Sequence, residues 1–307
     1  MTKVYSKALN EFTEVDRLVG EYRGIHGNEP AGIFALKNVF NKLKSQNTPF
    51  KGDMFAIGGN LPALEKGVRY NEVDLNRVWN EDSVSNIRNQ TENTSEKEDI
   101  EQKEIYDVIK KLLQKASGPV YFFDLHTTSS ETIPFVTVND SLLNRKFTQQ
   151  YPVPMILGIE EFLDGPLLSY INELGYVAFG YEGGQHDNLD SINNHIAFIY
   201  LSLVFCGCIK RSDQKNYDLL YNNSMRSQLI YEITRRHEIH DKDIFIMEPG
   251  FTNFQPIKKG QLLAISNGKQ IVASESNKVF MPLYQGKGND GFFEIKSVPK
   301  VFLNLSA

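Results

Sequence analysis

Three residues from two distant stretches of the chain have the chemistry of a zinc site. His26 and Glu29 stand three positions apart in GIHGNEP and offer an imidazole and a carboxylate. His126 lies in YFFDLHTT, directly after an apolar and aromatic run that is typical of a buried strand. Because a hydrolytic zinc site needs about three protein ligands and one position left for water, these residues are the predicted ligands of one zinc ion per chain.

A histidine and a glutamate at this spacing are more often a surface pair, but their context here favours a site. Glycines stand on both sides of His26, which allows the backbone to bend and approach a neighbour closely. Pro30 suits the first turn of a helix, so Glu29 is expected at the positive end of that helix. His126 is expected at the carboxyl end of its strand, the edge where ligand sites of open α/β sheets gather.

Hydrolysis also needs a general base beside the attacking water, and Glu182 is the candidate. It stands near the end of the predicted strand 176–184 in a partly apolar neighbourhood, where desolvation would raise its pKa toward the working range. Two glycines follow it and indicate close backbone approach. The alternative is an exposed loop acid.

Two arginines and an asparagine in residues 61–77, a predicted loop, indicate recognition of an acidic group. Arginine presents a planar fork that matches a carboxylate in two hydrogen bonds. Arg69, Asn76 and Arg77 are therefore candidates for binding an acidic substrate or stabilising a developing oxyanion. The alternative is a solvated loop with salt bridges. His186, His195, His237 and His240 are excluded as metal ligands.

Hydrophobic spacing places these residues on an α/β scaffold. Apolar side chains recur at intervals of three and four in residues 30–43, which predicts an amphipathic helix packed on a sheet. Ser95 and Glu98 form a capping box that predicts a further helix. Residues 80–94 are polar and predicted to be mobile. Residues 1–17 are predicted to be a peripheral helix or arm. Strands are predicted at 18–24, 54–57, 120–125, 135–138, 155–159 and 176–184, and other helices at 144–150, 166–174 and 191–210.

The pattern changes after about Arg211. Short β-branched segments separated by glycines predict a small all-β domain. We therefore predict a catalytic α/β domain over residues 1–212 and a C-terminal β domain over residues 213–307. Strands of the second domain are predicted at 229–233, 243–247, 261–265, 270–273, 279–283 and 291–295.

Composition excludes several classes of protein. The 307 residues are 41% hydrophobic and 23% charged with a net charge of −5, so no nucleic-acid surface is expected. Cys206 and Cys208 form no disulfide framework, which fits a reducing, cytoplasmic location. No signal peptide is evident, and the longest apolar run, residues 196–209, is too short for a membrane span. A homo-oligomer stays open.

Four motifs occur in one order along the chain: GIHGNE, RYNEVDLNR, FDLHTTSS and GYEGG. Together they resemble the aspartoacylase and succinylglutamate desuccinylase family over about residues 18–210. The resemblance implies a zinc-carboxypeptidase-like mixed sheet flanked by helices, with a small C-terminal β domain that narrows the entrance. It also implies zinc-dependent amide hydrolysis. The residues that match the family's sites are His26, Glu29 and His126 as zinc ligands, Glu182 as acid/base, Arg69 as the group that polarises the carbonyl, and Asn76 with Arg77 as the pair that holds a carboxylate.

Two departures bear on the substrate. Aspartoacylase has a further arginine shortly before the catalytic glutamate, whereas residues 167–174 contain none. It also has a C-terminal tyrosine, where this chain has Phe292, and Tyr284 is the candidate replacement. N-acetylaspartate is therefore not the expected preferred substrate.

The favoured function is hydrolysis of the amide in an N-acyl amino acid or a similar small acidic compound. One alternative keeps the fold and acts as a carboxypeptidase, with Arg77 holding the terminal carboxylate. The other is a metal- or ligand-binding protein without turnover.

Overall fold

The computed structural model describes residues 4–8, 11–14, 25–89, 97–210, 214–240 and 242–299. The helices are α1 Ala31–Ser45, α2 Leu61–Glu65, α3 Glu81–Asn89, α4 Lys97–Lys115, α5 Leu142–Thr148, α6 Leu167–Glu173, α7 Asp190–Phe205 and α8 Gln214–Asn223. The strands are β1 Val4–Ala8, β2 Glu11–Glu14, β3 Phe55–Ile57, β4 Tyr121–Thr128, β5 Phe135–Val138, β6 Met155–Leu157, β7 Val177–Gln185, β8 Ile230–Glu238, β9 Phe245–Met247, β10 Leu262–Ser266, β11 Lys269–Val272, β12 Lys278–Phe280 and β13 Asp290–Val298.

A seven-stranded mixed sheet organises the molecule. Its strand order is β12-β13-β8-β6-β5-β7-β4. The pairs β4–β7, β5–β6 and β6–β8 are parallel, whereas β5 runs antiparallel to β7 and β13 runs antiparallel to both of its neighbours. The predicted α/β class with a mixed sheet is confirmed.

Helices cover both faces of this sheet because its central strands are apolar on both sides. Side chains alternate between the faces along a strand, so Phe179 and Ala178 of β7 point in opposite directions. Phe179 packs in a core with α1 and α7, and Ala178 packs in a second core with α3, α4 and α6. In the first core, the rings of Tyr181 and Phe198 stack with centroids 3.9 Å apart.

The C-terminal part is an antiparallel β region, as predicted, but its strands divide between two sheets. β8, β12 and β13 extend the large sheet, and β9, β10 and β11 form a separate three-stranded sheet. Helix α8 precedes them within the segment predicted to be all-β. The large sheet runs across residue 212 through the pairing of β6 with β8, and the domain boundary stays a prediction.

The described N-terminal and loop segments differ from the predicted ones. Residues 4–8 and 11–14 are strands of a small sheet with β3, not a helix or arm. The segment predicted to be mobile contains α3, because Val84 and Ile87 recur on one face and are buried. Within residues 61–77, predicted to be a loop, Leu61–Glu65 form helix α2, which Asn60 caps, and Leu75–Arg77 form a 3-10 turn. The predicted strand at 18–24 and Ser95 lie outside the described residues, and α4 begins at Lys97.

In the described residues, every helix is either too short or too polar to cross a bilayer.

Candidate metal centre

A tight turn before α1 carries His26 and Glu29. The turn packs against the segment after α2: a Cβ added at Gly27 would lie 2.3 Å from the carbonyl oxygen of Val68. Only glycine fits this approach, so the bracketing glycine of the sequence motif has a packing reason. The Gly27 N–H also donates to the Arg69 carbonyl at 3.2 Å. This hydrogen bond ties the turn that carries His26 to residues 69–77, here called the arginine segment.

The carboxylate of Glu29 lies between the two histidines. Nδ1 of His26 is 2.8 Å from its Oε1, and Nδ1 of His126 is 2.9 Å from its Oε2. The imidazole centroids are 5.0 Å apart, and the three side chains offer ligand atoms that all lie within 4.8 Å of one another. All three are buried. The structure therefore brings the three predicted ligands together.

The outer nitrogen of each imidazole faces a second carboxylate. Nε2 of His26 lies 3.2 Å from Asp74, and Nε2 of His126 lies 2.8 Å from Asp124. Metal-binding histidines commonly have such partners, which fix the tautomer and orient the ring. With the inner nitrogens converging on Glu29 and the outer ones held by acids, the donor set fits a zinc ion.

The electrostatics of the cluster follow from its burial and its paired charges. Burial by itself raises the pKa of Glu29, but His26 and His126 outweigh it and hold that pKa well below its ordinary value. Burial by itself lowers the pKa of His126, but Asp124 and Glu29 outweigh it and hold that pKa well above its ordinary value. The carboxylate of Glu29 is therefore charged, as a metal ligand must be.

Glu182 reaches the cluster through strand pairing. In the parallel pair β4–β7, Glu182 is the register partner of His126, so their Cα atoms are neighbours across the two strands. The side chain is only 6% exposed, and its Oε2 makes no hydrogen bond within the described part of the chain. Burial raises the pKa of Glu182 to about 8; His126 opposes this, whereas Glu29 and Asp124 add to it. It is a buried carboxyl group, one of whose oxygens makes no hydrogen bond in the described part of the chain, and not an exposed loop acid.

Arg69 also lies at the cluster. Its Nε donates to Oδ2 of Asp74 at 3.1 Å, and its Nη1 donates to Oε1 of Glu29 at 3.5 Å. Burial by itself lowers the pKa of Arg69, but the carboxylates of Asp74 and Glu29 raise it above its ordinary value. The guanidinium stays charged in this partly buried position.

Asn76 and Arg77 lie farther along the same segment. The Asn76 side-chain oxygen accepts from the N–H of Leu167 at 3.0 Å, so it also anchors α6. Arg77 donates through Nη1 to the Asn76 carbonyl at 2.9 Å and through Nη2 to Oδ2 of Asp290 at 2.9 Å. The predicted carboxylate-binding arginine thus holds a carboxylate of its own chain.

Tyr284 directs its hydroxyl to backbone of the C-terminal region. The hydroxyl donates to the Glu248 carbonyl at 2.7 Å and accepts from the Phe251 N–H at 2.9 Å, and the residue is 40% exposed. Phe292 is buried and stacks on His237. A substrate-binding role for Tyr284 stays a prediction.

Two histidines set aside as ligands border the cluster. His186 lies 2.8 Å from the Thr127 hydroxyl. His195 is fully buried, its Nδ1 lies 2.7 Å from the Ser191 carbonyl, and burial lowers its pKa to about 4. A Cβ at Gly183 would lie 2.2 Å from the His195 ring, so the first glycine after Glu182 makes room for this imidazole.

Sequence reasoning missed four charged residues of the site. Asp74 lies in the motif RYNEVDLNR and Asp124 in the motif FDLHTTSS, two positions before Asn76 and His126 respectively. Their position beside predicted site residues is the sequence feature that could have identified them. Asp290 and Arg236 come from the C-terminal region, and no local pattern marks them.

Fold and site together define a class: an α/β protein whose buried His–Glu–His centre is built from the turn before α1 and from strand β4, beside Glu182 of the neighbouring strand β7. Residues 23–191, more than half of the chain, match the profile of the succinylglutamate desuccinylase/aspartoacylase catalytic domain. The chain belongs to this family of deacylating hydrolases, which confirms the resemblance seen in its motifs.

Individual relatives agree with the assignment. A succinylglutamate desuccinylase of Yersinia enterocolitica is 39% identical over 56 residues, which are 18% of this chain and 17% of that relative's length. A succinylglutamate desuccinylase structure from Vibrio parahaemolyticus has a TM-score of 0.61 at 15% identity, covering 97% of this chain and 86% of the other. A succinylglutamate desuccinylase/aspartoacylase structure from Rhodobacter sphaeroides has a TM-score of 0.65 at 14% identity, covering 91% and 85%. At these identities the two structures show a shared fold.

Proposed function

We propose that the chain is a zinc-dependent hydrolase that cleaves the amide bond of an N-acyl amino acid or a similar small acidic compound. The observation that supports it is the convergence of His26, Glu29 and His126 on one point, beside the buried carboxyl group of Glu182. A zinc ion held by these ligands would supply Lewis acidity, which makes water more acidic and a carbonyl more electrophilic.

Glu182 is the proposed acid/base. Its Oε2 takes the proton of the attacking water, and the same carboxyl group later donates a proton to the nitrogen of the leaving amine. Both transfers need a group whose pKa lies near the working pH, and burial raises the pKa of Glu182 to about 8. The oxygen makes no hydrogen bond in the described part of the chain, so it is free to bind the reacting proton.

Arg69 is the proposed donor to the developing oxyanion. Asp74 and Glu29 fix its guanidinium before substrate arrives, so the positive charge needs no reorganisation during the reaction. The group is partly buried, where such a charge acts more strongly than in water.

We also propose roles for the neighbouring residues Asn76 and Arg77 and a location for the protein. Arg77 and Asn76 are proposed to bind the carboxylate of those substrates that displace Asp290 from Arg77. We propose a cytoplasmic location, with which the free thiols of Cys206 and Cys208 agree.

The test is a metal analysis followed by a hydrolysis screen. The purified chain is loaded with zinc, its zinc content is measured, and N-acetyl, N-succinyl and N-formyl amino acids are assayed beside dipeptides. We expect about one zinc per chain, hydrolysis of acyl amino acids, and loss of both zinc and activity in His126→Ala. Hydrolysis of dipeptides alone would indicate a carboxypeptidase. Bound zinc without any hydrolysis would indicate a binding protein.

A further inference from the structure

Asp290, the first residue of β13, joins two arginines from distant parts of the chain. Its Oδ2 accepts from Nη2 of Arg77 at 2.9 Å, and its Oδ1 accepts from Nε of Arg236 at 2.7 Å. The three side chains are between 14% and 20% exposed, so these contacts are only partly screened by solvent. The C-terminal region thereby places a carboxylate on the arginine segment of the candidate active site.

The charge of Asp290 also reaches the cluster itself. It contributes to raising the pKa of Arg69, after the stronger contributions of Asp74 and Glu29. Arg236 has a second acid, since its Nη2 lies 3.5 Å from Oε1 of Glu238. The positive charges of Arg77 and Arg236 are thus balanced by the carboxylates of Asp290 and Glu238, and these four side chains together have no net charge.

We propose that Asp290 is a specificity-determining residue that competes with substrate carboxylates for Arg77. This inference depends on the proposed function, because it concerns which acyl amino acids the site selects. A ligand with a second carboxylate near Arg77 must displace or share with Asp290, whereas a ligand without one leaves the ion pair intact. The wild-type site therefore favours N-acyl compounds without a second carboxylate at this position.

The chemistry of arginine explains why the competition is direct. A guanidinium binds a carboxylate best through two parallel hydrogen bonds from its planar fork. Nη1 of Arg77 is directed to the Asn76 carbonyl and Nη2 to Asp290. A substrate carboxylate that needs Nη2 therefore meets Asp290 at the same donor, and the two anions repel each other.

The test compares wild type with variants of the full chain. Calorimetry measures how tightly each binds succinate, a small dicarboxylate, first with zinc added and again after chelation of the metal. We expect Asp290→Asn to bind succinate about tenfold more tightly, as expected for one charge-assisted hydrogen bond made available. The gain should disappear when Arg77→Gln is added to that variant. Glu238→Gln is the matched control, because it removes an acid from Arg236 without changing Arg77, and it should stay within about twofold of wild type.

Binding no tighter, or weaker, in Asp290→Asn would overturn the inference, since Asp290 would then only position Arg77. A second readout needs no variant: wild type should bind succinate and monomethyl succinate with Kd values within about threefold, because the second carboxylate finds Arg77 occupied. A preference for succinate of tenfold or more would contradict the competition. Both measurements report binding and not turnover, so a failed hydrolysis screen leaves them interpretable.

Discussion

Replacing Glu182 by glutamine is expected to lower activity and, in the metal-free protein, to remove a pH-dependent loss of stability. General acid–base groups contribute about 10²–10⁴-fold to rate, so the zinc-loaded variant should lose about 3–5 kcal/mol of transition-state stabilisation. Its zinc content should not change, because Glu182 is not among the three predicted ligands.

The stability change follows from the pKa of Glu182, which burial raises from 4.5 to about 8. Since the folded state binds the proton more strongly than the unfolded state, the contribution of this group to stability is greatest below pH 4.5. It declines as the pH rises from 4.5 to about 8. At pH 7 the free energy of unfolding is reduced by about 3 kcal/mol relative to the acid side, at about 1.4 kcal/mol for each pH unit above the ordinary pKa.

The assay is urea unfolding of chelated wild type and Glu182→Gln at pH 5, 6, 7 and 8. The free energy of unfolding of the variant is subtracted from that of wild type at each pH. The constant cost of burying an amide in place of a carboxyl group does not change with pH, so the pH dependence of this difference reports the titration of Glu182. Glu173→Gln, on an exposed position of α6, is the matched control and should follow wild type in both activity and pH profile. Full activity in Glu182→Gln would refute the acid/base assignment. Parallel pH profiles would refute the raised pKa.

Three further predictions follow from single contacts. Asp74→Asn removes the carboxylate that orients one of the ligand imidazoles, so zinc affinity should fall about 10–100-fold in competition with a fluorescent chelator, and an unchanged affinity would exclude that role. Gly183→Ala places a methyl group 2.2 Å from the ring of His195 and should destabilise the fold by about 1–3 kcal/mol. Gly118→Ala, whose methyl group meets open space, is the control and should not destabilise it. Equal melting temperatures of the two variants would contradict the close packing of Gly183 against His195. Burial raises the pKa of Cys206 to about 12, so at pH 8 peptide mapping should show its alkylation by iodoacetamide to be about 10²–10³-fold slower than that of a free cysteine, and rapid labelling would show that the thiol is not buried.

Local sequence determined the elements and the ligand types. The apolar spacing of residues 31–45 and the apolar runs at the start of β4 and β7 encode a helix and buried strands, because each pattern depends only on near neighbours. The pair His26 and Glu29 is likewise local, since three positions and one tight turn separate them. The same local patterns failed for α3, whose two buried residues, Val84 and Ile87, become informative only when a surface exists to cover them.

Tertiary structure decided how these residues meet. Glu182 stands beside His126 because β4 and β7 pair in parallel with that register, and a shift of one residue would point one of the side chains to the opposite face. The partnership of Arg77 with Asp290 joins residues 213 positions apart through a strand of the C-terminal region. No sequence pattern encodes such a contact, because it depends on how the whole sheet closes on the arginine segment. The residue types that could bind a metal or transfer a proton were therefore predictable from the sequence, whereas the ion pairs around them depend on tertiary contacts.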